Sequence, residues 1–244
     1  MMIKSAFDTK IRLRGAIRYV YKQSGKAISD YNMLSQGDRV LVAVSGGTDS
    51  LSLLKLLQMR QRHVPIDFHL VACFVDTDFL DIDRDLIEDF FRRLDLEYTI
   101  KELHFNGSKV NCFWCSWSRR KLLFAAAREH NCNKIALGHN LDDIAETTLM
   151  NLCFLGEVST CLPNLEMFKG KIKIIRPLCY LSKQSILDFS SCFSFPRIRF
   201  DCPNSEKGIR KRIKELIQNL EQDYPYVKKN IFRSLKKIRK DYLL

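Results

Sequence analysis

No stretch of this chain approaches the ~20 consecutive apolar residues that a membrane-spanning helix needs, so no membrane insertion is expected. Its first residues, Met-Met-Ile-Lys, run into a charged pattern that lacks the apolar core and cleavage site of a secretory signal, and a cytoplasmic protein is expected. Internal repeats and low-complexity linkers are also missing, which excludes solenoid and tether architectures. Acidic residues are the scarcer charge: 28 Asp and Glu stand against 40 Lys and Arg, a net charge of +12 over 244 residues. Such an excess suits a polyanionic partner held through phosphate contacts, although solubility alone would also be served by it.

The distribution of charge favours the partner. Lys4, Lys10, Arg12, Arg14, Arg18, Lys22 and Lys26 crowd the front of the chain. Lys207, Arg210, Lys211, Arg212, Lys214, Lys228, Lys229, Arg233, Lys236, Lys237, Arg239 and Lys240 crowd the back. Basic helical ends around a less basic centre resemble arms for RNA. Three parts are expected: a basic N-terminal helical arm over residues 1–35, a central domain over 36–204, and basic C-terminal helices over 205–244.

The centre alternates between strand and helix patterns. The apolar run Val40 to Val44 leads through a Gly-rich turn into a helix carrying Leu51, Leu53, Leu54, Leu56 and Leu57, and a second strand runs from Phe68 to Val75. A helix at Asp83 to Leu94, a strand at Glu97 to Glu102, a helix at Ser116 to Glu129, a strand at Lys134 to Leu137 and a helix at Asp142 to Phe154 follow. A strand at Lys173 to Ile175, a helix at Lys183 to Phe189 and two basic helices after Glu206 complete the series. This alternation predicts an α/β fold, a doubly wound open parallel sheet, whose ligands bind beyond the carboxyl ends of the strands. The turns after Val44, Val75 and Leu137 are therefore the places to look for chemistry.

Val44-Ser45-Gly46-Gly47-Thr48-Asp49-Ser50 carries the strongest local signal. Adjacent glycines let the backbone turn sharply and approach a ligand, while Ser45, Ser50 and the amides of the new helix supply donors for an anion. The spacing is not that of the P-loop, and no lysine follows the glycines, so cleavage at the γ-phosphate is not implied. A plain Gly-Gly turn with Asp49 capping the helix is the simpler alternative.

Among nine cysteines, an odd number, Cys73, Cys153, Cys179 and Cys192 sit singly in apolar stretches and read as reduced, buried thiols. Cys112 and Cys115 form a C-x-x-C just ahead of a helix, able to share a metal or act as a redox pair, and Cys202 lies in a polar turn after Phe195-Pro196. A zinc half-site or a persulfide carrier stays open, but no second C-x-x-C or nearby His pair completes a zinc site. Gly138-His139-Asn140-Leu141-Asp142-Asp143 places a histidine and two carboxylates after a strand; the carboxylates suit magnesium, or cap the following helix. Asp76 and Arg176 lie at the same expected rim, read as nucleotide and phosphate contacts or as solvent-facing charge. Phe113, Trp114 and Trp117 would shield the cysteines or stack on a base.

Ser45 to Ser50 reads SGGTDS and resembles the PP-loop of the N-type ATP pyrophosphatases, which split ATP to AMP and pyrophosphate. More narrowly the chain is similar, from about Ala16 to Cys202, to the tRNA 2-thiocytidine synthetase (TtcA) family. The resemblance runs through the segment Gly25 to Met33, Gly37-Asp38-Arg39, the loop, Cys112 to Cys115, Ala136 to His139 and Ile175 to Leu178. Thr48 stands where that family usually has lysine, and Cys202 stands alone where it commonly has a C-x-x-C. The 2-thiouridine synthetases look similar around Cys202-Pro and Gly138 to Asp143, but their flanking zinc-finger cysteine pairs are missing.

The resemblance implies an ATP-dependent tRNA sulfurtransferase using ATP, magnesium and a 4Fe-4S cluster on Cys112, Cys115 and Cys202. ATP would be bound by Ser45, Gly46, Gly47, Thr48, Asp49, Ser50, Asp76, Gly138 and Arg176, with Asp49, His139, Asp142 and Asp143 as catalytic groups. Such an enzyme adenylates the C2 carbonyl of a pyrimidine, cytidine in the first instance, and replaces the oxygen with sulfur. Its partners would be tRNA, a sulfur donor such as a cysteine desulfurase or sulfide, and a second copy of the chain. A 2-thiouridine synthetase, a lysidine synthetase-like ligase and a non-catalytic basic RNA-binding module are the alternatives.

Overall fold

Residues 14–77, 80–81, 84–104, 112–196, 199–200 and 208–242 are described by a computed structural model. Along them run α1 (Gly15–Asp30), β1 (Arg39–Val44), α2 (Thr48–Gln61), β2 (His69–Thr77), β3 (Leu80–Asp81), α3 (Arg84–Arg93), β4 (Glu97–Leu103), α4 (Cys112–Glu129) and β5 (Lys134–Ala136). Then follow α5 (Leu141–Met150), β6 (Asn164–Met167), β7 (Ile172–Ile175), α6 (Lys183–Ser190), β8 (Arg199–Phe200), α7 (Ile209–Asp223) and α8 (Val227–Ser234). Among them no helix is long and apolar enough to cross a membrane.

Alternation in β1 explains why the sheet is covered on both faces. Val40, Val42 and Val44 point into one cluster with Leu51, Leu54 and Leu57 of α2, Phe90 and Phe91 of α3, and Ile186 and Phe189 of α6. Leu41 points the other way, into a smaller cluster with Val71, Cys73, Val75, Ile135 and Ala126 and Ala127 of α4. After Arg39 the strand is apolar, as suits a parallel sheet covered on both faces.

Six strands lie in the order β4-β2-β1-β5-β7-β6. β1 pairs in parallel with both β2 and β5, and the chain moves outward from that pair in opposite directions, to β2 and β4 on one side and to β7 on the other. Between β1 and β5 is thus the switch point, where loops diverge and leave a crevice for a ligand.

Three local features depart from the sequence reading. β6 is an antiparallel edge strand on β7, joined through Phe168, Lys169 and Gly170 at φ of 54°, 58° and 83°. Its four residues alternate too briefly to register as a strand. α4 starts at Cys112 rather than near Ser116, so Cys112 and Cys115 lie inside the first turn and not ahead of the helix. The helix expected over Asp142 to Phe154 is α5 followed by a π-helical turn, Asn151–Leu155, that ends on Gly156 at φ 68°. Cys153 on that turn is exposed, as is Cys192, contrary to the expected burial, because these apolar stretches face outward. The two basic helices α7 and α8 pack on α5, with Ile213 and Ile217 closing over Ala145.

Candidate active site

Between Val44 and Thr48 the chain must reverse direction in three residues, and Gly46 does so at φ 84°, in the left-handed region. Ser50 braces the loop: its hydroxyl donates to the Gly47 carbonyl at 2.8 Å and accepts the Ser45 N–H at 3.1 Å. Ser45 Oγ lies 3.3 Å from Ser50 Oγ. Gly47 is the N-cap of α2 and no side chain caps the helix, so the positive end of α2 remains available to an anion. Asp49 sits in the first turn and is not the cap.

The loop after β5 presses on this one. A Cβ at Gly138 would come within 3.1 Å of Ser50 N and 3.2 Å of Asp49 C, so only glycine admits the approach. Asn140 then caps α5, its Oδ1 accepting the Asp142 and Asp143 amides, and Asp143 returns the contact by accepting the Asn140 N–H at 3.0 Å. Asn140 Nδ2 also reaches Asp49 Oδ2 at 3.4 Å. Both carboxylates that cap or flank this turn carry further partners. Asp142 accepts the Lys183 backbone N–H at 2.9 Å and pairs with Lys228 at 2.6 Å, and Asp143 pairs with Arg210 at 2.9 Å.

After β7 comes the third loop. Arg176 Nε donates to His139 Nδ1 at 3.0 Å, and its guanidinium also donates to the Leu162 carbonyl. Burial, with the Arg176 charge second, pushes the His139 pKa down to about 4, so the imidazole is neutral at pH 7. Its Nδ1 accepts from arginine, which leaves the proton on Nε2. At the start of α6, Lys183 Nζ stands 2.7 Å from both carboxylate oxygens of Asp49. Burial raises the Asp49 pKa, and the contact and charge of Lys183 oppose that rise.

These loops open on a cavity of about 590 Å³ between the sheet and α4. Ser45, Asp49, Ser50, Gly138, His139, Asp143 and Arg176 line it from the loops, and Cys115, Arg119 and Arg120 line it from α4. Eight of the lining residues, Ser45, Asp49, Ser50, Cys115, Gly138, His139, Asp143 and Arg176, were singled out from the sequence, and the structure brings them to one cavity. Asp76 and Asp142 are not in the lining: Asp76 pairs with Arg84 at 3.3 Å, and Asp142 faces Lys183 and Lys228. Gly46, Gly47 and Thr48 shape the loop without lining the cavity. Cys202 and the Cys112 side chain lie outside the described residues.

Cys115 is half-buried in the first turn of α4 and lines the cavity. By contrast burial pushes the Cys73 and Cys179 thiols up to about 12, which makes them inert. Phe113, Trp114 and Trp117 are exposed at 66%, 57% and 48%, with Trp114 edge-on to both of the others, so they do not close over the cavity. Reading the sequence alone missed Lys183, Asn140, Arg119, Arg120, Arg210 and Lys228. Asn140 carried a signal, as an Asn three residues before Asp143 at a helix start; Lys183, Arg119, Arg210 and Lys228 meet Asp49, Thr77, Asp143 and Asp142 from far along the chain and carried none.

The chain matches the family model of the PP-loop domain over residues 19–220. It is 36% identical over 231 residues to the tRNA-cytidine(32) 2-sulfurtransferase of Geotalea uraniireducens, covering 90% of this chain and 91% of the relative. To the protein of that name from Geotalea daltonii it is 37% identical over 232 residues, with 90% and 91% covered. Among solved structures it resembles the U34-tRNA thiolase NcsA from Methanococcus maripaludis with its 4Fe-4S cluster, at a TM-score of 0.73 and 26% identity, over 91% of this chain and 78% of that one.

Proposed function

Because the chain belongs to the PP-loop family, and within it to the tRNA-cytidine 2-sulfurtransferases, we propose that it thiolates cytidine 32 of tRNA at C2 at the expense of ATP. One observation carries the reading to this chain's own residues: the anion-ready loop Ser45 to Ser50 and Cys115 face each other across one cavity.

Carbonyl oxygen is a poor leaving group and AMP a good one. The C2 oxygen of the cytosine attacks the α-phosphorus of ATP, the bond to pyrophosphate breaks, and the adenylated base then exchanges O–AMP for sulfur, releasing AMP. The α2 amides and the Ser45 and Ser50 hydroxyls hold the phosphates and receive the charge that develops on them. Neutral His139, held at Nδ1 by Arg176, offers its Nε2–H as a hydrogen-bond donor to a base in the cavity. Arg119 and Arg120 add positive charge to the wall that the adenylate and the tRNA backbone approach.

Asp49 and Asp143 are the carboxylates on that wall, and magnesium is commonly held by one or two carboxylates together with substrate phosphates, so this donor set fits it. Cys112, Cys115 and Cys202 would hold a cluster with one open iron, and Cys115, the one of them whose side chain is described, lines the cavity from the first turn of α4. When bound, a 4Fe-4S cluster would hold a donor-derived sulfide for transfer to C2. The basic helices at both ends bind the tRNA, a cysteine desulfurase or free sulfide replenishes the sulfur, the chain works as a cytoplasmic homodimer, and residues 36–204 form the catalytic unit.

Iron and labile sulfide in anaerobically purified protein test this reading. Brown protein with near-stoichiometric iron and sulfide, lost in Cys115→Ala, supports it. Colourless protein that anaerobic reconstitution cannot load contradicts it and returns the persulfide, zinc and ligase readings.

A further inference from the structure

Lys183 is part of no motif in the sequence, yet it makes the closest charged contact to the PP-loop among the described residues. Its Nζ is 2.7 Å from both oxygens of Asp49, a residue of the loop that lines the cavity. The pair is poorly explained as a stabilising feature: the lysine side chain is 43% exposed and Asp49 24%, and ion pairs of that exposure contribute about 0–1 kcal/mol.

Its backbone, on the other hand, is fixed. Ser182 caps α6, and the Lys183 N–H donates to Asp142 Oδ2 at 2.9 Å, so the loop after β7 is tied to the loop after β5 beside the loop after β1. A flexible four-carbon stem with three donors is thus anchored beside Asp49, a lining residue of the cavity whose wall does not include Lys183 itself. At the helix position where the resembling family usually carries a lysine, this chain has Thr48, which has no charge. Two other cations on the cavity wall donate to groups outside the loop. Arg119 donates to Thr77 at 3.3 Å, and Arg176 to His139 and Leu162.

We infer that Lys183 is the phosphate-binding lysine of this site, supplied to the PP-loop from α6 in place of the residue that Thr48 lacks. Without nucleotide it rests on Asp49. With ATP bound it moves onto a phosphate oxygen of the nucleotide's triphosphate, and the Asp49 carboxylate is released to face magnesium. Asp142 is then a positioning residue for Lys183, acting through the backbone N–H. This inference rests on the proposed ATP site.

The test is equilibrium binding of α,β-methylene ATP with magnesium, and of adenosine, to the full chain. A charge-assisted contact of about 1.5–3 kcal/mol predicts that Lys183→Met weakens the ATP analogue roughly 10- to 100-fold while leaving adenosine binding within twofold. Adding Thr48→Lys to Lys183→Met restores most of the loss, which a merely structural lysine would not allow. If Lys183→Met binds the analogue as tightly as wild type, or loses adenosine equally, the inference is overturned and the ATP site stands. If wild type binds the analogue no better than adenosine, the ATP site itself falls and the inference with it.

Discussion

Gly138→Ala probes how tightly the two central loops are fitted. A methyl group there meets backbone on the facing side, Ser50 N at 3.1 Å and Asp49 C and Ser50 Cα at 3.2 Å, and backbone cannot rotate away as a side-chain tip can. The approach would have to relax by a few tenths of an ångström. α2 is a poor candidate to move, since Leu51, Leu53, Leu54, Leu56 and Leu57 are all at most 2% exposed and wedge it against sheet and α6. Overpacking of this kind costs about 1–3 kcal/mol, which for a chain of this size lowers Tm by about 2–12 °C. Because the displaced atoms belong to the first turn of α2, where the proposed ATP phosphates would bind, ATP binding should weaken along with stability. Thermal unfolding and binding of a non-hydrolysable ATP analogue read the two effects. A variant that melts within 1 °C of wild type (less than the ~2 °C lower bound) and binds the analogue equally well would refute the argument that Gly138 is there to admit the loop.

Other consequences follow from single contacts. With a folded pKa of about 4 against an ordinary 6.5, His139 binds its proton more readily in the unfolded chain. Stability should therefore fall as pH drops from about 6.5 towards 4. His139→Gln should flatten that slope in denaturant titrations, and an unchanged slope would assign it to other groups. Lys134 and Asp38, both 6% exposed, form a buried pair at 2.5 Å, so Lys134→Met strands a carboxylate that, among the described residues, is then held by Ser35 and Asn133. The expected loss in urea unfolding is about 3–5 kcal/mol, and a loss below ~1 kcal/mol, within the range of an exposed pair, would count against the pair. On the exposed side of α7, Lys211→Gln and Lys214→Gln should each reduce the slope of log K for tRNA against log salt by about 0.7–1. Unchanged slopes would remove α7 from the RNA surface.

The legible part of this molecule is the part set by near neighbours in sequence. A five-residue apolar run, two glycines and a leucine-rich helix suffice to specify β1, the loop and α2, because strand burial, left-handed turning and helix packing are all local demands. Gly138 to Asp143 was legible as a helix start, although the cap is Asn140 and not either of the aspartates that the sequence offered. What escaped is non-local or short. Lys183 meets Asp49 across 134 positions, and nothing in Leu181-Ser182-Lys183 marks that contact. β6 has four residues and gains its identity from β7 alone. The first turn of α4, expected to lie ahead of the helix, escaped because Phe113 and Trp114 present an apolar face to solvent rather than the polar one a surface helix shows.

The central claim is that this chain replaces an oxygen of cytidine in tRNA by sulfur at the expense of ATP. Its most direct test supplies anaerobically reconstituted protein with unmodified tRNA, ATP, magnesium and sulfide, and measures nucleosides by mass spectrometry. The account predicts 2-thiocytidine confined to position 32, formed with AMP and pyrophosphate and absent without ATP. Thiouridine instead of thiocytidine, or AMP and pyrophosphate formed with no thiolated base, would contradict it.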